Sequence, residues 1–338
     1  MVQKREKRNR NLIAPAVCLV LALIFPVVFR GNNTVIRLGA VSLLYGILAI
    51  SLNLISGVAG QISMGHVAFY GIGAYTSAML AMRLEWPFLL CLLSAFLISI
   101  VAGLLIGIPT LRMQGGYLAI ISIGFAEIVR LTLLNWKSFT NGAKGLLNIP
   151  RPVIFGFKIS SITQSFYFFL FFLVISYLAL NNLINSKFGR NLKALKNDDI
   201  AAESMGINVF RSKVIAYMIS ASIAGVAGSL YAHYMMFISP YSFTSDVSTS
   251  ILSMVVLGGL GNMFGAFLSA IILTILPETL RSIDSYRMLI YGVLLVIIML
   301  SKTVSWENTR VGTRLSNIRE KCRSVFIREK SEEGGKKE

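Results

Sequence analysis

Apolar stretches about 17 to 25 residues long, carrying few or no charges, follow one another along this chain and leave it few possible folds. Wound as a helix at about 1.5 Å per residue, such a stretch covers the roughly 30 Å hydrocarbon core of a bilayer. Inside lipid every backbone N–H and C=O must find a partner within the protein, which leaves helices as the solution for runs of this length. The expectation is an all-α, polytopic integral membrane protein. Its transmembrane helices number about ten, at 12–30, 35–55, 66–82, 88–110, 116–135, 164–185, 212–232, 247–260, 262–280 and 287–301. The eighth is short for a full crossing, and the glycine-rich run 57–66 suits a re-entrant turn buried in protein, so the range is eight to ten.

The charge distribution agrees with this reading. Residues are 55% hydrophobic and only 14% charged, yet the formal net charge is +17. The basic residues lie in loops and tails rather than on one folded face, which argues for membrane topology and against nucleic-acid binding. With a cytoplasmic N-terminus, that side receives Lys4, Arg5, Lys7, Arg8 and Arg10, then Arg112, then Lys187, Arg190, Lys193, Lys196, Arg211 and Lys213, and finally the basic tail. The opposite side holds Lys137, Lys144, Arg151 and Lys158 in one long loop, and long loops translocate with little regard to charge. Both termini are therefore placed in the cytoplasm; the family resemblance given below further implies a bacterial or archaeal plasma (inner) membrane.

Three regions result: a basic cytoplasmic N-terminus at 1–11, a transmembrane domain at 12–301 and a basic cytoplasmic tail at 302–338. The N-terminal KREKRNR followed by an apolar run resembles a secretory signal, but no small-x-small cleavage site follows it, so an uncleaved first span is expected. Cys18, Cys91 and Cys322 show neither disulfide nor metal spacing. No metal and no cofactor is expected. In the tail, Val311, Leu315, Ile318, Cys322 and Val325 recur at helical spacing, which leaves open a solvated tail or a basic helix lying on anionic lipid.

Between the sixth and seventh spans the loop 186–211 carries a short charged helix. Asp198 and Asp199 stand where a helix N-terminus favours negative charge, Ile200, Ala201, Ala202 and Met205 give a narrow apolar stripe, and Gly206 is placed to end the helix in a left-handed cap. About two turns long, the helix reaches only about 10 Å and must lie outside the bilayer. Such an element suits a groove on a soluble partner.

Within the spans, Glu127 with Arg130 one turn later stands out, because a carboxylate in lipid is costly unless it is paired or faces an internal cavity. Structural pairing, a place on the substrate path and proton coupling all remain open. Gly60, Gln61, Ser63, Gly65 and His66 form a polar, flexible run that serves either close helix packing or a broken helix lining the translocation route. Gly258, Gly259, Gly261 and Gly265 match it near the other end of the chain, with a hint of an internal repeat. Ala221, Gly225 and Ser229 recur every four residues on one face of the seventh span, a close-packing pattern within the chain or across a permease dimer. His233 reads as an interfacial or capping histidine.

No G-x-x-x-x-G-K-[ST] phosphate loop occurs, so any ATP use falls to another polypeptide. Five stretches, NLISGVAGQISMGHVAFYGIGAYTSAML from Asn53, GGYLAIISIGFAEIVRLTLLNW from Gly115, SFTNGAKGLLNIP from Ser138, the loop helix, and MVVLGGLGNMFGAFLSAIILTILPETLR from Met254, together resemble the LivM-like branch of the branched-chain amino acid permease family of ABC importers. The resemblance covers roughly Val35 to Leu300. It implies a permease subunit, not itself an enzyme, with a second and homologous permease subunit, two cytoplasmic ABC ATPases, an extracytoplasmic substrate-binding protein and a small amino acid as cargo. It also implies that Asp198, Asp199, Ala201, Ala202, Glu203, Met205 and Gly206 form the ATPase-coupling element. Against the general coupling pattern E-A-A-x-x-x-G, Ala201, Ala202 and Gly206 match, while Ile200 takes the glutamate position and the acid appears at Glu203. Gly60, Gln61, Ser63, Gly65, His66, Glu127, Arg130, Gly259 and Gly261 are candidates for the translocation pathway. Leucine, isoleucine and valine are the family's typical cargo, with urea and amides as alternatives.

Two other classes fit the residues less well. Ser63 among glycines, taken with His233, suggests an intramembrane serine hydrolase, but the spacing is G-x-x-S-x-G and the topology puts the two on opposite sides. An ion-coupled carrier commonly needs several buried ionisable groups, whereas the spans offer Glu127, with Glu278 and Asp284 near a boundary.

Overall fold

The computed structural model describes residues 17–29, 31–110, 117–154 and 156–279, together with Gly292 and Val296. The chain divides into two units, Met1–Thr279 and Leu280–Glu338. The tenth expected span, the tail and the start of the first span lie outside the described residues.

Twelve helices follow in order among the described residues: α1 (Val17–Val28), α2 (Asn33–Asn53), α3 (His66–Arg83), α4 (Phe88–Thr110), α5 (Tyr117–Asn135), α6 (Lys137–Thr140), α7 (Ile162–Asn185), α8 (Lys187–Asn197), α9 (Asp199–Ser204), α10 (Val209–Met235), α11 (Ser245–Gly258) and α12 (Met263–Thr279). Strands are minor: β1 (Leu146–Leu147) pairs antiparallel with β4 (Phe237–Ile238), and β2 (Val153–Ile154) with β3 (Phe157–Lys158). The protein is thus an all-α polytopic membrane protein.

Five helices are long and apolar enough to cross a membrane by length and composition: 33–58, 88–108, α5, α7 and α10. Helices α1 and α12 are apolar but shorter. The eighth expected span is short, α11 having 14 residues. The second and seventh spans run longer than their apolar cores suggest, because α2 continues as a π-helical turn over Leu54–Val58 and α10 extends to 27 residues.

Helices α2 and α10 form the centre of the unit, with 78% and 67% of their apolar windows buried, against 17% for α5. Helix α10 gets this close to its neighbours through small residues. A Cβ on Gly225 would meet Ser99 and the Ala95 carbonyl of α4, and one on Gly228 would meet the Tyr70 carbonyl of α3. The small-residue stripe of α10 therefore packs within the chain. Ala221 stands against Gly103, and the Ser229 hydroxyl is 2.7 Å from that of Ser77. Outside this core, Leu89, Leu93, Leu97, Val101 and Leu105 make an exposed apolar stripe along α4, as a lipid-facing helix requires.

Candidate functional site

The loop between α7 and α10 holds two helices rather than one. Helix α8, 11 residues long, is amphipathic: Gly189, Leu192 and Leu195 are buried while Lys187, Arg190 and Lys193 are exposed. Asp198 then breaks the path with extended backbone, and its Oδ1 accepts the Ile200 and Ala201 amides at 2.9 and 3.1 Å, capping α9. At the other end Gly206 has φ +79°, its amide donates to the Glu203 carbonyl at 2.8 Å, and the Ile207 amide donates to the Ala202 carbonyl at 3.1 Å. This pair of bonds is a Schellman cap, which satisfies carbonyls the helix end leaves bare.

The apolar stripe expected on this helix divides. Ala202 faces inward and is buried, whereas Ile200 and Met205 are 75% and 83% exposed, with Ala201 and Glu203 also at the surface. Two tethers hold the turn. Lys213 of α10 reaches the Asp199 carboxylate at 2.5 Å, and Lys196 of α8 donates to the Gly57 carbonyl at 2.8 Å.

Gly57 lies in the π-helical turn that ends α2, next to the break between α2 and α3. Residues 59–65 are not helical, and Gly60 has φ +73° with its α-carbon lodged beneath the Lys196 stem. The break is stitched to four other elements. Asn53 Oδ1 accepts the Gly261 amide at 2.9 Å, the Met64 amide donates to Ser122 Oγ of α5 at 2.9 Å, and the Val67 amide to Ser248 Oγ of α11 at 3.5 Å. Ser220 of α10 donates to the Ser51 carbonyl at 2.5 Å. His66 is wholly buried, with Nε2 2.7 Å from Ser51 Oγ. Any Cβ on Gly57 would enter the space of Asn53 Oδ1 and the Gly261 amide, and one on Gly65 that of the Ser122 carbonyl. Gly259 and Gly261, both at positive φ, form the turn between α11 and α12 that sits on Gly57.

The two glycine-rich runs singled out in the sequence are thus in contact. The same segment concentrates buried polar atoms: Asn53 Nδ2, Gln61 Oε1 and His66 Nδ1 have no partner among the described residues, and Ser63 stands beside the Tyr217 hydroxyl. Such atoms cost stability unless a partner absent from the bare chain satisfies them.

Glu127 and Arg130 form a bidentate pair on α5, apart from the break. Their side chains keep 40% and 20% exposure, with Arg130 in electrostatic reach of Tyr241 of the same chain. Ser63 and His233 lie at opposite ends of the bundle. His233 is fixed at the far end of α10 by Ser77 Oγ at 2.9 Å and the Pro150 carbonyl at 2.6 Å, which disposes of a serine–histidine pair. Among the described residues no group of histidine, cysteine and acidic side chains is placed to hold a metal. Nothing in the sequence announced the contribution of Lys196, Asn53, Ser122 and Ser220, since each acts on a residue at least 58 positions away, or through a helix end displaced from the apolar pattern.

Comparison with known proteins gives the arrangement a context. Residues 34–299 match the family described as "Branched-chain amino acid transport system / permease component". The chain is 37% identical over 306 residues to the high-affinity branched-chain amino acid transport system permease protein LivM of Salmonella typhimurium, covering 83% of this chain and 71% of that protein. It is 28% identical over 280 residues to the LivH permease protein of the same organism, covering 76% and 88%. A probable LivM of Methanocaldococcus jannaschii is 25% identical over 233 residues, covering 63% and 66%. No solved structure matches. On the strength of the family match across most of its length, the chain belongs to the family of branched-chain amino acid transport system permease components.

Proposed function

We propose that this chain is one of two membrane subunits of an ATP-driven importer that carries leucine, isoleucine and valine across the plasma membrane, and that the α8–α9 turn is where a separate ATPase pushes. The named relatives supply the cargo class. The observation that carries the mechanism is the tethering of the turn: Lys196 to the Gly57 carbonyl and Asp199 to Lys213 tie it to both central helices, while Ile200 and Met205 face outward for a partner. A push on α9 then reaches α10 directly and reaches the α2–α3 break through α8, rocking the spans between outward-open and inward-open states. In this reading the full chain has about ten spans, the α8–α9 turn and both termini are cytoplasmic, the second permease subunit is homologous, and a binding protein delivers cargo to the opposite end. The face of α5 bearing Glu127 and Arg130 lines the route or meets the second permease, because a charged pair is expensive against lipid.

Gly206→Val tests the lever. No atom lies within 4 Å of a Cβ there, so the change adds no clash, only the strain of a β-branched residue at φ +79°. That strain is about 1–2 kcal/mol, enough to shift the capped turn's population roughly tenfold. Insertion and complex assembly should stay normal, ATP hydrolysis should persist and uptake in vesicles should fall. Normal uptake would overturn the lever.

A further inference from the structure

At the end of the bundle remote from the α8–α9 turn, the start of α2, the β2–β3 hairpin, the start of α7 and the last turns of α10 enclose a cavity of about 210 Å³. Its lining has a polar head and an apolar body. Arg37 and Arg151 supply two cations, and no aspartate or glutamate is among the lining residues. Arg151 is pinned, with Nε donating to Met236 Sδ at 3.3 Å and Nη1 to the Ser160 carbonyl, which leaves Nη2 for a ligand. Arg37 stands in electrostatic reach of the Tyr234 side chain. The Tyr234 hydroxyl, shielded from solvent, has no hydrogen-bond partner. Against this head stand Ile162, Phe169 and Leu230. His233, also on the wall, has both ring nitrogens engaged by Pro150 and Ser77 and acts as a fixed support. A neighbouring cavity of about 510 Å³ shares Arg151 and His233 and carries Glu85, so the acid lies on the far side of that wall.

We infer that this cavity is a subsite for a small aliphatic carboxylate: Arg37 and Arg151 bind the carboxylate, and the apolar body takes a branched side chain. Two cations with no acid among the lining residues select an anion, and an apolar pocket with a few convergent polar groups is the usual form of a small-molecule site. The inference rests on the function proposed above and deepens it, placing a receiving site for cargo at the end opposite the motor. Lacking a carboxylate of its own, the site reads the cargo's acid and side chain, not its ammonium group.

The test uses the complete transporter in nanodiscs without the binding protein, with Ser160→Cys introduced in a Cys18→Ser, Cys322→Ser background and labelled by a water-soluble maleimide. Millimolar leucine and 4-methyl-2-oxopentanoate, which keeps the carboxylate and side chain but not the ammonium group, should both slow labelling. Leucinamide, which lacks the carboxylate, should not. Arg37→Gln with Arg151→Gln should abolish protection and, in sealed proteoliposomes supplied with the binding protein, raise the half-saturating leucine concentration for uptake roughly tenfold or more, with lysine at either position restoring part of the loss. Equal protection by leucinamide, or no protection by any ligand, overturns the subsite. So does a glutamine pair that weakens capture of the binding protein while ligand protection stays intact, since the carboxylate bound would then be an acidic side chain of that partner. A wild-type complex that imports no branched-chain amino acid refutes the function itself, whereas wild-type uptake kinetics in the glutamine variants refute the subsite alone.

Discussion

Lys196 caps a carbonyl at the C-terminal end of a long helix, where the backbone dipole is negative and the last carbonyls lack amide partners. An ammonium there neutralises the helix end and at the same time fastens α8 to it. Lys196→Met keeps the stem that covers Gly60 but removes the donor. Because solvent reaches the residue, the stability cost should be about 1 kcal/mol or less. The transport cost should be larger: ATP hydrolysis by the assembled complex should continue while leucine uptake per ATP falls, and Lys196→Arg should restore it. Measured ratios of uptake to hydrolysis decide the point. At this scale the sequence was legible wherever a residue acts on its own neighbours. Asp198 and Gly206 announce a cap because capping is chemistry between residues two to four positions apart. Lys196 reads only as a topological charge, since its partner lies 139 positions away. The outward direction of Ile200 and Met205 was equally hidden, because an apolar stripe does not state whether it packs on its own chain or on another.

Among the elements, α5 is the one whose surface is least accounted for by its own chain. Its apolar window is 17% buried, and it carries a partly covered acid–base pair in the middle of a 19-residue apolar helix. Pairing lowers the cost of two charges in hydrocarbon without removing it, so the arrangement makes sense where water or a second protein covers that face. Glu127→Gln should leave insertion intact and reduce uptake roughly tenfold by stranding the arginine; subunits that still co-purify put the pair on the route, and subunits that separate put it at the second permease. Helix positions were readable from hydropathy because a span must be continuously apolar, and the close-packing role of Gly225 from its period of four. The π turn and helix α8 were not readable: one prolongs a helix past its apolar run, and the other is a polar segment whose inward stripe is only Gly189, Leu192 and Leu195.

For the whole molecule, the layout separates two duties. The central pair α2 and α10 is buried, tethered to the α8–α9 turn at one end and lining the cation-bearing cavity at the other through Arg37 and Tyr234. Motion imposed at one end therefore acts on helices that reach the other. The all-α, membrane-embedded character follows from composition, but the meeting of Gly57 with Gly261 required the chain to be folded, because residues more than 200 positions apart share no local signal. Helix α9 has a further consequence for the cell. Its cap is internally complete, yet Ile200 and Met205 stand bare, so a copy made without its motor subunits shows water two greasy side chains on an already folded knob. Quality-control proteases read such surfaces as a sign of an orphan, and the chain's half-life after synthesis is shut off should shorten when the ATPases are depleted and recover when Ile200 and Met205 are both changed to serine. A half-life indifferent to the ATPases would mean the knob is shielded by something else.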